Sequence, residues 1–223
     1  KPVIIERKHA QHDSVKLQGS FASASAIRNA LNKLDFEAIK DFVPEWVSAD
    51  INTRSGKQCF PITQDDFSMM ILYAILSMTR QEIQELPDVS EGFHNALYSA
   101  VRNSSVYSDL LKAVKSKRYT LARIKRICMC ALLHITKTMQ REALTNPDAL
   151  YIRVLGLRRE ARALLGKIGS VSKMPLIVRA SDLAKLTPAA MRIYQSDLLS
   201  DEIYALCSGV PPISEFAAPL LVV

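Results

Sequence analysis

The chain has 223 residues and is 48% hydrophobic, enough for one large domain or two small ones with a packed core. It carries 29 Lys and Arg against 22 Asp and Glu, a net charge of +7 with a pI near 9.3, which favours an anionic partner. Four scattered cysteines exclude a disulfide framework, no apolar run reaches membrane-spanning length and no signal peptide is visible, so the expected setting is the reducing cytoplasm, with no membrane.

Pro2-Val3-Ile4-Ile5 reads as a strand already in progress. In the polar stretch that follows, His9, His12 and Asp13 have no Cys or Glu partner at metal spacing and read as loop residues. Ser23-Ala24-Ser25-Ala26-Ile27-Arg28 leads into Asn29-Ala30-Leu31 and marks a helix start, with Ser23 or Ser25 as the N-cap. Between Leu34 and Pro61, Pro44, Trp46 and Gly56 interrupt any long periodic run, so this segment reads as a connector with short helices. From Pro61 onward the pattern is almost entirely helical. Thr63 and Asp66 precede an apolar face of Met69, Met70, Leu72, Tyr73 and Leu76, and Thr79 with Glu82 starts a second, short helix. Phe93, Ala96, Leu97, Ala100 and Val101 follow helical spacing. Asn146-Pro147 and Thr187-Pro188 each offer a cap residue before a proline at the first helical position, while Gly156 and Gly166 are placed to stop helices. Pro175-Leu176-Ile177-Val178 is the one strand-like interruption, and the expected fold class is mainly α.

Three stretches could carry function. At Ser23–Arg28, a helix N-terminus with hydroxyls and an Arg one turn in makes a phosphate cradle, against the plainer reading of a capped helix with a solvated Arg. Lys115, Lys117, Arg118, Arg123, Lys125 and Arg126 lie in a span of 32 residues, between Asp109 and Glu142, that contains no acid. Such crowding costs self-repulsion that a polyanion would relieve, so RNA binding competes here with a solvated basic face. A helix starting near Thr120 would bury Leu121, Ile124, Cys128, Ala131, Leu132 and Ile135 and send Arg123 and Arg126 to the solvent side. Tyr119 either stacks on a base or packs, with packing favoured. In the third stretch Ile152, Val154 and Leu155 are expected in the core, leaving Arg153, Arg158 and Arg159 as a second basic cluster. Cys128 and Cys130 would point roughly 200° apart on a helix, so they read as core thiols, and no metal is expected. Asp65-Asp66 and Asp201-Glu202 diverge as neighbours on a helix and read as caps and surface charge. No nucleophile–base pair, G-x-G-x-x-G or P-loop is present, and catalytic residues are unassigned.

Ser90-Glu91-Gly92-Phe93 with Asn95 and Leu97-Tyr98, then Lys115-Ser116-Lys117-Arg118-Tyr119-Thr120 with Arg123-Ile124 and Arg126, then Tyr151-Ile152-Arg153-Val154-Leu155-Gly156, resemble in order and spacing the tRNA(Met) cytidine acetate ligase family. Pro175-Leu176-Ile177 and Asp201-Glu202-Ile203-Tyr204 fit the same pattern, so the resemblance runs from Ser23 over nearly the whole chain. It implies an ATP-dependent ligase in which a nucleotidyltransferase-type α/β domain makes acetyl-adenylate from acetate and ATP, with Mg as the companion ion, and N4 of the wobble cytidine of elongator methionine tRNA receives the acetyl group. Ser25-Ala26-Ile27-Arg28 matches the family's Ser-Ser/Thr-x-Ile-Arg motif with Ser25 in place of the usual Thr, which implies an ATP site at Arg28, Ser23 and Ser25. The implied tRNA-binding residues are Lys115, Lys117, Arg118, Arg123 and Arg126.

The implied organisation is a strand-plus-helix remnant of the α/β domain in residues 1–34, a connector in 35–60 and a compact helical tRNA-binding domain in 61–223. The family's glycine- and histidine-rich ATP motif is not among these residues, so the chain reads as a carboxy-terminal region without activity of its own. The alternatives are a non-catalytic helical RNA-binding module and a basic helical scaffold for an acidic protein. Oligomeric state is open.

Overall fold

A computed structural model describes residues 2–4, 16–17, 21–55, 60–212 and 220–223. His9, His12, Asp13, Gly56 and Cys59 lie outside these. The chain divides into two compact units, residues 1–63 and 64–223.

In the first unit Ser23 is the N-cap of α1 (Ala24–Asn32), its Oγ accepting the Ala26 N–H at 3.0 Å. The helix ends where Leu34 turns left-handed (φ 58°). A 3-10 helix (Glu37–Phe42) and α2 (Glu45–Arg54) follow, and Ala30, Ile39 and Ile51 form a small core against which Ile27, Leu31, Phe36, Val47 and Phe60 pack. The 35–60 stretch therefore shares a core with α1. Residues 2–4 are not in a strand, and Val3 and Ile4 are exposed, contrary to the expectation of an opening strand.

The second unit is helical: α3 (Ser68–Ser77), α4 (Arg80–Gln84), α5 (Phe93–Val101), α6 (Tyr107–Val114), α7 (Leu121–Leu132), α8 (Lys137–Thr145), α9 (Arg162–Val171) and α10 (Pro188–Cys207). Together with the helices of the first unit, this makes the described structure mainly α. Ile71, Ile75, Ile83, Leu97, Leu110, Ile124, Ile127 and Cys128, from α3 to α7, fill one buried core. Local chemistry sets half of these helix starts. Thr79 and Glu82 form a reciprocal capping box at α4, Thr120 caps α7, Thr136 caps α8, and Thr187-Pro188 opens α10. Val106 precedes α6 and has no side-chain acceptor; the first α6 amides donate instead to Ser68 Oγ (2.9 Å, from Tyr107) and Asp65 Oδ1 (3.0 Å, from Ser108).

Other expectations change as well. On α3 the buried side is Ile71, Leu72, Ala74 and Ile75, while Met69 (78%), Tyr73 (73%) and Leu76 (43%) are exposed; α3 is apolar nearly all round, so spacing alone cannot choose its inner face. Gly156 stops no helix: β1 (Ile152–Arg153) pairs in parallel with β3 (Leu176–Ile177), and β2 (Gly156–Leu157) with β4 (Leu221–Val222). A Cβ at Gly156 would stand 3.1 Å from the Leu221 carbonyl oxygen, so close strand approach explains the glycine. Gly166 lies inside α9. Leu155 is exposed rather than core, with Ile152 and Val154 half-buried.

Candidate nucleotide-binding helix and nucleic-acid interface

In the first unit the α1 N-terminus joins Ser23, buried and committed to its cap bond, with Ser25 half-buried in the first turn. Arg28 is exposed, three residues beyond Ser25 and so on the same side of the helix, and makes no ion pair or hydrogen bond among the described residues. A helix start with a hydroxyl and an uncommitted guanidinium can take an anion such as a phosphate.

In the second unit two segments distant in sequence meet. The turn between α6 and α7 is closed by Ser116, whose N–H donates to the Tyr119 carbonyl (3.3 Å) and whose Oγ accepts the Tyr119 N–H (3.2 Å), leaving Lys117 and Arg118 exposed at its tip. The Tyr119 ring turns inward and stacks on Phe93 (centroids 3.9 Å, planes 9° apart), so this tyrosine packs. Its hydroxyl donates to the Ser90 carbonyl (2.7 Å) and accepts the Ser90 N–H (2.9 Å). The 88–92 loop held in this way has left-handed backbone at Asp88 (φ 65°), Glu91 (φ 50°) and Gly92 (φ 78°).

Arg123 does not project into solvent as α7 periodicity suggests. Its guanidinium lies 4.1 Å from the Tyr119 ring centroid and donates twice to the Asp88 carbonyl (3.0 and 2.7 Å) and once to Ser90 Oγ (3.0 Å). It is a structural clamp on the 88–92 loop. The absence of acids around the basic stretch is likewise only a feature of sequence distance: Glu91 pairs with Arg118 (2.6 Å) and Asp88 with Arg126 (3.0 Å). Sequence reasoning passed over these two carboxylates; Glu91 stood within the quoted Ser90-Glu91-Gly92-Phe93, but its pairing is long-range. The Arg118 and Glu91 side chains are 77% and 58% exposed, and such a pair contributes only about 0–1 kcal/mol, so a phosphate can displace the carboxylate at little cost. Lys115 and Lys117 are exposed and have no side-chain partner among the described residues.

Of the two thiols on the same helix, Cys128 is buried on its inner side and Cys130 is half-buried. Burial pushes Cys128 up to about 12, against the lowering effect of its hydrogen bond with Tyr107, and burial also raises Cys130. Both are therefore protonated at neutral pH and poor nucleophiles. In the third stretch Arg153 pairs with Asp201 (3.6 Å), whereas Arg158 and Arg159 are exposed.

A model of the family described as HIGH Nucleotidyl Transferase matches residues 1–214. The chain belongs to this family. The chain is 33% identical over 205 residues to the tRNA(Met) cytidine acetate ligase of Caldanaerobacter subterraneus, covering 92% of the chain and 50% of that relative. It is 32% identical over 222 residues to the tRNA(Met) cytidine acetate ligase of a Thermoanaerobacter species, covering 99% of the chain and 54% of the relative. The chain thus spans about half the length of the curated relatives it matches. The apo crystal structure of Thermotoga maritima TmcAL shares its fold, with a TM-score of 0.85 at 22% identity over 98% of this chain and 55% of that one. The same protein bound with alpha-thio ATP gives 0.78 at 22% identity, over 93% and 54%.

Proposed function

We propose that this chain belongs to an ATP-dependent ligase that forms acetyl-adenylate from acetate and ATP and acetylates N4 of the wobble cytidine of elongator methionine tRNA in the cytoplasm. The observation that carries the reading is identity of about one third with tRNA(Met) cytidine acetate ligases along nearly the whole chain. In this reading Arg28 and the first turn of α1, with Ser23 as cap and Ser25 beside it, hold the ATP phosphates, with Mg as the companion ion. Lys115, Lys117, Arg118 and Arg126 engage the tRNA backbone, and Arg123 acts behind them by fixing the loop that carries Asp88 and Glu91. Contacts of this kind orient the substrate without reading its sequence.

The test is titration of the chain with elongator methionine tRNA and with another tRNA of equal length, at two salt concentrations. Selective, salt-sensitive binding is expected. Equal and salt-insensitive binding, or none, overturns the tRNA assignment and leaves a scaffold for an acidic protein as the account of the basic face. For the nucleotide half, Arg28→Ala in a full-length ligase should reduce acetate-dependent ATP–pyrophosphate exchange at least tenfold and spare tRNA affinity; loss of tRNA affinity alone would refute the phosphate role.

A further inference from the structure

A groove of about 770 Å³ runs between α9 and the β3 segment, within the range of small-ligand sites. None of the ten residues of α9 is buried, although Leu165 and Ile168 are half-covered, so the helix is held on one side and open on the other. Gly166 and Gly169 line the groove, and a Cβ built at Gly166 meets nothing within 4 Å.

The charge of the groove is set by Asp182. This carboxylate is buried, accepts the N–H groups of Val178 and Arg179 (3.1 Å each) through Oδ2, and accepts Lys185 Nζ at 2.7 Å through Oδ1. These three bonds come from its own 178–185 segment and fix the 178–182 turn, and Asp182 and Lys185 both line the groove as a paired, neutralised unit. Lys173 and Arg179 also line the groove, are exposed, and form no ion pair among the described residues. Leu165, Met174 and Leu176 supply the apolar part of the same lining. A nucleotide supplies both an anion for the cations and a flat face for the apolar lining. Acidic side chains supply only the first.

We propose that this groove is a second RNA-contacting site, which takes one nucleotide of the bound tRNA, with its phosphate on Lys173 and Arg179 and its base against Met174 and Leu176. The inference rests on the RNA-binding reading above. It extends the interface beyond the Lys115–Arg126 region to a segment that no part of that reading uses.

Three variants of the full chain test it by tRNA titration at two salt concentrations. Lys173→Glu with Arg179→Glu should weaken binding about five- to tenfold and reduce the slope of log affinity against log salt by about one phosphate contact. Gly166→Tyr changes no charge but fills the groove, and should weaken binding at least threefold with the slope unchanged. Lys117→Glu reports the other region, and unchanged thermal melts confirm that each variant is folded. Wild-type affinity in both groove variants, with Lys117→Glu still weakened, overturns the groove and leaves the tRNA reading standing. Weakening by the charge reversal alone also overturns it, since it marks a long-range field and not an occupied groove. Binding of free AMP that Gly166→Tyr abolishes, with tRNA affinity unchanged, assigns the groove to a free nucleotide and overturns it as well. No tRNA binding by the wild-type chain overturns both readings together.

Discussion

Replacing Arg123 by alanine separates structure from binding on the basic face. The substitution removes two donors to the Asp88 carbonyl, one to Ser90 Oγ and a cation resting on Tyr119. The 88–92 loop keeps two non-glycine residues, Asp88 and Glu91, in left-handed backbone, a conformation that costs about 1–2 kcal/mol per residue. Hydrogen bonds from a charged donor contribute about 1.5 kcal/mol at the low end suited to a half-exposed group, and the cation–π contact about 0.5–1 kcal/mol. Because the carbonyl can turn to water, the net loss should be about 2 kcal/mol, or a fall in melting temperature of roughly 4–8 °C for a unit of this size. Thermal denaturation followed by circular dichroism measures it, with Lys117→Ala as a surface control expected within about 0.5 kcal/mol of wild type. A melting temperature for Arg123→Ala within a degree of wild type would refute the clamp. It would also return Arg123 to the pool of side chains available to RNA.

Other expectations are as direct. Lys115→Gln with Lys117→Gln should leave the melt unchanged and lower the salt slope of tRNA binding by about one to two phosphate contacts; an unchanged slope removes the turn from the interface. The Cys128 thiol ionises near 9 when unfolded and near 12 in the native core, so its stabilisation is complete below pH 9 and is lost as pH rises towards 12. Urea denaturation between pH 9 and 10 should therefore show stability falling by about 1 kcal/mol more than in Cys128→Ala, and equal slopes would contradict this. Gly156→Val should force β2 away from Leu221 and speed amide exchange at residues 221–223, whereas wild-type exchange would show that the pairing tolerates a side chain.

What the sequence makes legible is local. Ser23, Thr79, Thr120 and Thr187-Pro188 begin helices because a hydroxyl that accepts from the third residue onward acts over one turn, and the same short range makes the α4 capping box readable. Strands of two residues are too short to show alternation, so β1, β2 and β4 leave no period to find. The inner face of α3 is decided by α5, α6 and α7, and its own residues are apolar on both sides. At the basic face, the cations on α7 and its preceding turn are visible as composition. Their division into clamp, paired and free depends on Asp88 and Glu91, which are 38 and 27 residues away from Arg126 and Arg118.

The start of α6 is borrowed. Its first amides find their acceptors on Ser68 and Asp65, 39 and 43 residues earlier, because Val106 offers none. Until α3 has docked, the beginning of α6 is a frayed end, whereas α4, with its own capping box, can start without a neighbour. Folding of the second unit is therefore expected to have an internal order, in which α6 consolidates after the chain has closed a loop of that length. Loosening α3 would release α6 with it, and in native-state hydrogen exchange the two should open as one cooperative piece.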